Sequence, residues 1–137
     1  MQTDLRKVLS VSGQRGLYMY VAQARNGVIA ESLAEKKRVV FSYTSRISTL
    51  ADIAIFTSEG ELRLAEVFVA IKEALGEAEA PSSKASESEI VALFTKAIPD
   101  YDSDRFYLSH MRKVLDWYSE IVKYASLDFV KEDEEEA

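Results

Sequence analysis

Few residues in this chain have the types and spacing that chemistry needs. Asp100, Asp102 and Asp104 alternate as the first ligands of a calcium loop do. In such a loop Arg105 would occupy the position that needs glycine, and Met111 the position that needs a bidentate glutamate. Short acidic side chains of this kind more often close turns and cap the following segment. Ser12-Gly13-Gln14-Arg15-Gly16 has a Gly-x-x-Gly spacing without the Lys-Ser/Thr of a phosphate loop, and it reads as a turn. His110 is the single histidine and there is no cysteine, so a conventional zinc site has no ligands; His110 reads as a surface or capping residue. No Gly-x-Ser-x-Gly elbow is present. Pairs such as Asp102/Asp104 or Glu87/Glu89 become an acid and a base only in a cleft that separates their pKa values. We therefore expect no enzyme, no cofactor and no bound metal.

What remains is recognition. Arg15, Arg25, Lys36, Lys37, Arg38 and Arg46 fall near predicted turns, and Tyr18, Tyr20, Phe41 and Tyr43 lie on the segments between them. Basic loops beside outward rings would suit single-stranded RNA or DNA. Against this stands a net charge of −6, and strand aromatics are more simply read as core. The charge is also divided, with a net +2 over residues 1–75 and −8 over 76–137. Trp117 falls at the edge of a helical apolar stripe, where it packs within the chain or marks a partner surface. The expectation is a non-enzymatic binding or scaffolding module that meets another protein or a second copy of itself. A nucleic-acid-binding barrel is the alternative.

The elements that would carry these residues follow from periodicity. Apolar, β-branched runs at Leu17–Ala24, Val28–Leu33, Arg38–Tyr43 and Ile53–Thr57 read as strands. Asn26-Gly27 predicts a two-residue hairpin turn with positive φ, so that Arg25 faces Val28, Ala22 faces Glu31 and Tyr20 faces Leu33. Residues 7–11 suit either a strand or a helical turn. Leu64, Val67, Phe68, Ile71 and Leu75 recur at helical spacing, with Gly76 as the stop. Residues 76–85 read as a linker. Ser86 and Glu89 have capping-box spacing ahead of a helix through Ile90, Leu93, Phe94, Ala97 and Ile98. A last helix begins near Ser109 and buries Met111, Val114, Leu115, Tyr118, Ile121, Val122 and Ala125. The fold class is α+β: a small curved antiparallel sheet or SH3-like barrel with one helix over 1–75, the linker, and a helical hairpin over 86–126. An acidic, disordered tail is expected over 127–137.

No apolar run approaches the roughly 20 residues that span a bilayer. The N-terminal residues lack the apolar core of a secretory signal, which suggests a cytoplasmic protein. Leu9-Ser10-Val11-Ser12-Gly13, Gly16-Leu17-Tyr18 and the Asn26-Gly27 hairpin resemble the opening of a family of bacterial proteins of unknown function common in Bacteroidetes. Pro99-Asp100-Tyr101-Asp102, Arg105, Tyr107, Ser109 and Lys113 through Trp117-Tyr118 are similar to its C-terminal helical part. The resemblance implies an intracellular protein with a β-rich first part and a helical second part. It supplies no catalytic residues to carry over.

Overall fold

The computed structural model describes residues 3–14 and 16–129. The chain divides into two compact units, the described parts of Met1–Ile53 with Glu120–Ala137, and Ala54–Ser119. The division falls after Ile53 and again after Ser119, rather than at the 76–85 stretch.

In the first unit Asp4 caps a 3-10 turn over Leu5–Lys7, its carboxylate accepting from the Arg6 backbone N–H. β1 (Val8–Val11) follows directly, so residues 7–11 supply both a turn and a strand. β2 (Leu17–Ala24), β3 (Gly27–Ser32), β4 (Arg38–Ser42) and β5 (Ile47–Thr49) complete an antiparallel sheet in the order β4-β3-β2-β1-β5. In a flat sheet β4 and β5 would stand four strand spacings apart, about 19 Å. Ser42 and Ile47 are five residue steps apart, and that length reaches at most about 18 Å fully extended. A turn in which Ser45 N–H donates to the Ser42 carbonyl shortens it further. The sheet must therefore curl.

Curling brings Phe41 of β4 into one core with Leu9 and Val11 of β1, Tyr18 of β2 and Ala30 of β3, with Val28 and Ile47 against it. Tyr18 and Phe41 meet edge to face, with centroids 4.9 Å apart. The barrel alternative does not hold, because no ladder joins β4 to β5 and the sheet stays open between them. β5 lies between the strands expected at Arg38–Tyr43 and Ile53–Thr57; its three residues, Ile-Ser-Thr, are too few for a period to show.

The β2–β3 hairpin forms with a different register from the one predicted. Ala24 pairs with Gly27, so Arg25 and Asn26 form the turn; Ala22 faces Ile29, and beyond a bulge Tyr20 faces Ala30. Gly27 does not take positive φ. It is a strand residue over which the β4 backbone passes closely, a steric demand for glycine that the Asn-Gly signal does not distinguish from a turn.

The unit is closed by its chain segments before β1 and after residue 124. The buried Thr3 donates its N–H to the Asp128 carbonyl, and its hydroxyl engages the Ser126 backbone on both its C=O and N–H. Thr3 also bridges Phe129, so Asp128 and Phe129, within the start of the tail expected over 127–137, are paired with it. Residues 130–137, the remainder of that tail, lie outside the described residues.

In the second unit β6 (Ala54–Thr57) and β7 (Gly60–Arg63) form a hairpin, and β7 runs directly into α1 (Leu64–Leu75). Between the strand expected at Ile53–Thr57 and the helix expected from Leu64, Gly60 opens a further strand. α1 buries Leu64, Val67, Phe68 and Ile71, as its spacing predicts, and ends on Gly76 at φ 61. The stretch 76–85 joins α1 to α2 (Glu87–Ala97), and its end is held by Arg112, which donates to the Ser83 and Ala85 carbonyls. Ser86 caps α2 by accepting from Glu89 N–H. α3 (Leu108–Tyr124) crosses the division between the units. Met111, Val114, Leu115, Tyr118 and Ile121 are buried on it, whereas Val122 is exposed and does not belong to the stripe.

A candidate interaction surface

The acidic stretch that imitates a calcium loop is consumed by turns. Asp102 accepts from the Asp104 N–H and lies 3.3 Å from Arg105, and Asp100 accepts from the Ser58 hydroxyl. His110 Nδ1 accepts the Tyr107 N–H at 3.1 Å, a capping role at the start of α3. Among the described residues no group of three or more His, Cys, Asp and Glu could hold a metal ion, and no helix is long and apolar enough to cross a membrane.

β4 is different. Its sequence, Arg-Val-Val-Phe-Ser, is β-branched and aromatic, which suits a pleated strand, and among the described residues only β3 pairs with it. At one end of this ladder Ser32 N–H donates to the Lys37 carbonyl, and at the other Tyr43 N–H donates to the Asn26 carbonyl. Antiparallel pairing alternates, so Val39 and Phe41 also direct their polar backbone groups toward β3. The N–H and C=O groups of Arg38 and Val40 and the N–H of Ser42 consequently point to the open edge, while the Ser42 carbonyl is taken by the Ser45 N–H. Phe41 faces the core and Val39 shares its side; Val40 lies on the other face. Val39 is 40% exposed, Val40 61% and Tyr43 57%. An edge with two exposed valines and outward backbone groups invites another strand.

A cleft of about 400 Å³ adjoins the edge, lined by Val39, Ala34, Gly16, Tyr18, Tyr124 and Ser32, with Glu35, Lys37 and Glu120 as its charged members. The β3–β4 turn beside it holds Lys36, the one residue other than glycine at positive φ among those described, its N–H donating to the Ser32 carbonyl. Lys37 Nζ is 4.0 Å from Glu35, and Arg38 Nε is 3.8 Å from Glu31, its cross-strand neighbour. All three basic side chains are exposed.

Of the residues singled out from sequence, the structure brings together Lys36, Lys37 and Arg38. Arg25 is exposed in the β2–β3 turn, at the far end of the six-residue β3, about 17 Å away along the strand. Arg46 is exposed just before β5, its carbonyl accepting from Ser12 N–H. Trp117 is half-buried on the part of α3 that belongs to the other unit. Arg15 lies outside the described residues. The four rings expected in the core are split: Tyr18 and Phe41 are buried, while Tyr20 and Tyr43 are exposed. Sequence reasoning passed over Val39 and Val40, because an apolar run reads the same at an edge as in the middle of a sheet. The Lys-Lys pair just before them was the available edge signal.

Comparison with known proteins matches this chain to two family models. Residues 5–50 match a domain of unknown function, DUF5606, and residues 53–121 match a second, DUF6852. The two matches part close to the boundary after Ile53 that separates the compact units. A solution NMR structure of a Bacteroides vulgatus protein is 35% identical, with 91% of each chain covered and a TM-score of 0.75. Among curated proteins, none matches.

Proposed function

The chain belongs to the family marked by the domains of unknown function DUF5606 and DUF6852, and from its own geometry we propose that it is a non-enzymatic protein-interaction module whose β4 edge takes an extended segment of a partner protein as a sixth strand. The observation that carries this reading is the outward row of backbone groups on Arg38 and Val40, continued by the Ser42 N–H, beside the exposed Val39 and Val40. Strand addition draws its affinity from main-chain hydrogen bonds and its selectivity from pockets for alternate side chains. The cleft that begins at Val39 is placed to receive one such side chain. Separation of Arg25 from Lys36–Arg38, and burial of Tyr18 and Phe41, favour a protein segment over a single-stranded nucleic acid, which needs a continuous basic, ring-studded face. A cytoplasmic setting is part of the proposal.

Selection of displayed random peptides on the whole chain tests it, with Val40→Pro as control. Proline at 40 removes an outward N–H and leaves the β3 ladder intact. Peptides that bind the natural chain, fail on V40P and slow amide exchange at Val40 would support the reading. Peptides that bind both alike, or no selected peptide at all, would overturn it. Oligonucleotide binding at low salt that survives V40P would favour the nucleic-acid alternative.

A further inference from the structure

The edge has a chemical direction as well as a shape. Lys36, Lys37 and Arg38 set three cations in succession at its N-terminal end, in a chain whose net charge is −6, while Ser42-Tyr43-Thr44 at the other end carries none. The acids nearest these cations hold them loosely. Glu31 and Glu35 stand 3.8 and 4.0 Å away, and the Lys37 and Arg38 side chains are 78% and 67% exposed. Exposed pairs at such distances contribute little and exchange partners easily. Lys36 adds a second observation. Its φ of 59° is one that glycine or asparagine adopts at lower cost, so a cation stands where the turn alone would favour another residue.

Resting on the strand-addition reading above, we propose that the segment β4 takes is acidic: an extended peptide with an apolar residue opposite Val39 and carboxylates opposite Arg38 and Lys36. Side chains alternate along the added strand, so those on the side of Val39 enter the cleft and those on the side of Val40 do not. Glu35 and Glu120 line that cleft with Lys37, which disfavours a carboxylate there, and an apolar occupant packs on Val39, Ala34 and the two tyrosines. The carboxylates lie on the other side, along the basic end. In the antiparallel order, which continues the pattern of this sheet, they follow the apolar residues in sequence.

Three labelled peptides test the proposal on the full chain. Each has the same alternating valine–threonine core, followed by three glutamates, three glutamines or three lysines. Binding is read by fluorescence anisotropy, and amide exchange is followed at Val40. The glutamate peptide is expected to bind about tenfold tighter than the glutamine peptide at about 50 mM salt, to lose most of that advantage at about 300 mM, and to slow exchange at Val40. In the double variant K36E/R38E the lysine peptide should take its place. Equal binding of all three peptides with Val40 protected would overturn the acidic preference and leave strand addition standing. Failure of every peptide to protect Val40 at up to about 1 mM would remove strand addition and this proposal together. Glutamate binding unchanged in K36E/R38E would also overturn the proposal.

Discussion

The carbonyl oxygen of Phe41 lies 1.8 Å from where a β-carbon on Gly27 would be. No side chain fits there without moving β4, since the obstacle is backbone. Gly27→Ala should therefore destabilise the first unit by about 2–4 kcal/mol, measured as a lower midpoint in urea unfolding. Because the displaced strand is β4, the variant should also lose peptide binding at its edge before global unfolding sets in. Gly13→Ala, where positive φ is the obstacle and no atom lies within 4 Å, should cost less, about 1 kcal/mol.

Thr3 offers a second point of attack. Its hydroxyl donates to the Ser126 carbonyl at 2.8 Å and accepts from the Ser126 N–H at 3.0 Å, in a setting only 2% exposed. Thr3→Val keeps the shape and removes both bonds, which should cost about 1–3 kcal/mol. Thr3→Ser keeps the hydroxyl and should lie within about 1 kcal/mol of the natural chain. Faster amide exchange at Ser126 in Thr3→Val, with little change at Val40, would locate the effect where the structure puts it.

Arg6 holds Asp4 below the usual aspartate range, chiefly through a side-chain hydrogen bond; its guanidinium meets the carboxylate at 2.9 and 3.0 Å. A carboxylate with a lowered pKa in the folded state adds stability above its unfolded pKa, and that stability is lost as pH falls through the folded value. Acidification below about pH 4 should therefore destabilise the natural chain more steeply than Asp4→Asn. Unfolding midpoints compared at pH 3 and pH 6 check this, and parallel curves for the two proteins would contradict it.

How much of this could be read from sequence depended on the range of the interaction. α1 was legible because Leu64, Val67, Phe68 and Ile71 repeat at the period of one helix turn and Gly76 supplies the left-handed stop, all local matters. Ser86 and its bond to Glu89 N–H were legible for the same reason. The hairpin was found but set two to three residues out of register, since the reason for Gly27 is Phe41, a contact that no window along the chain contains. β5 and β7, with three and four residues, are too short to show an alternation. Lys36, Lys37 and Arg38 were singled out for their charge. Their partners in the surface, Val39 and Val40, were not, because the openness of the β4 edge depends on β5 returning to β1 instead of pairing with β4.

The C-terminal charge bears on the same edge. Residues 131–137 carry five carboxylates and one lysine, so their removal takes the net charge from −6 to −2. An acidic peptide approaching Lys36 and Arg38 is repelled by the charge of the whole chain, and this repulsion acts mainly on the association rate and fades within a Debye length of roughly 8–10 Å at physiological salt. Deleting residues 131–137 should thus raise the association rate of the glutamate peptide severalfold, by about 2–10-fold at about 50 mM salt, with little change in dissociation. At about 300 mM salt the two proteins should converge. Stopped-flow anisotropy resolves the two rates. A slower dissociation with unchanged association would contradict this account of the charge, and a lower affinity after truncation would contradict the assignment of an acidic partner.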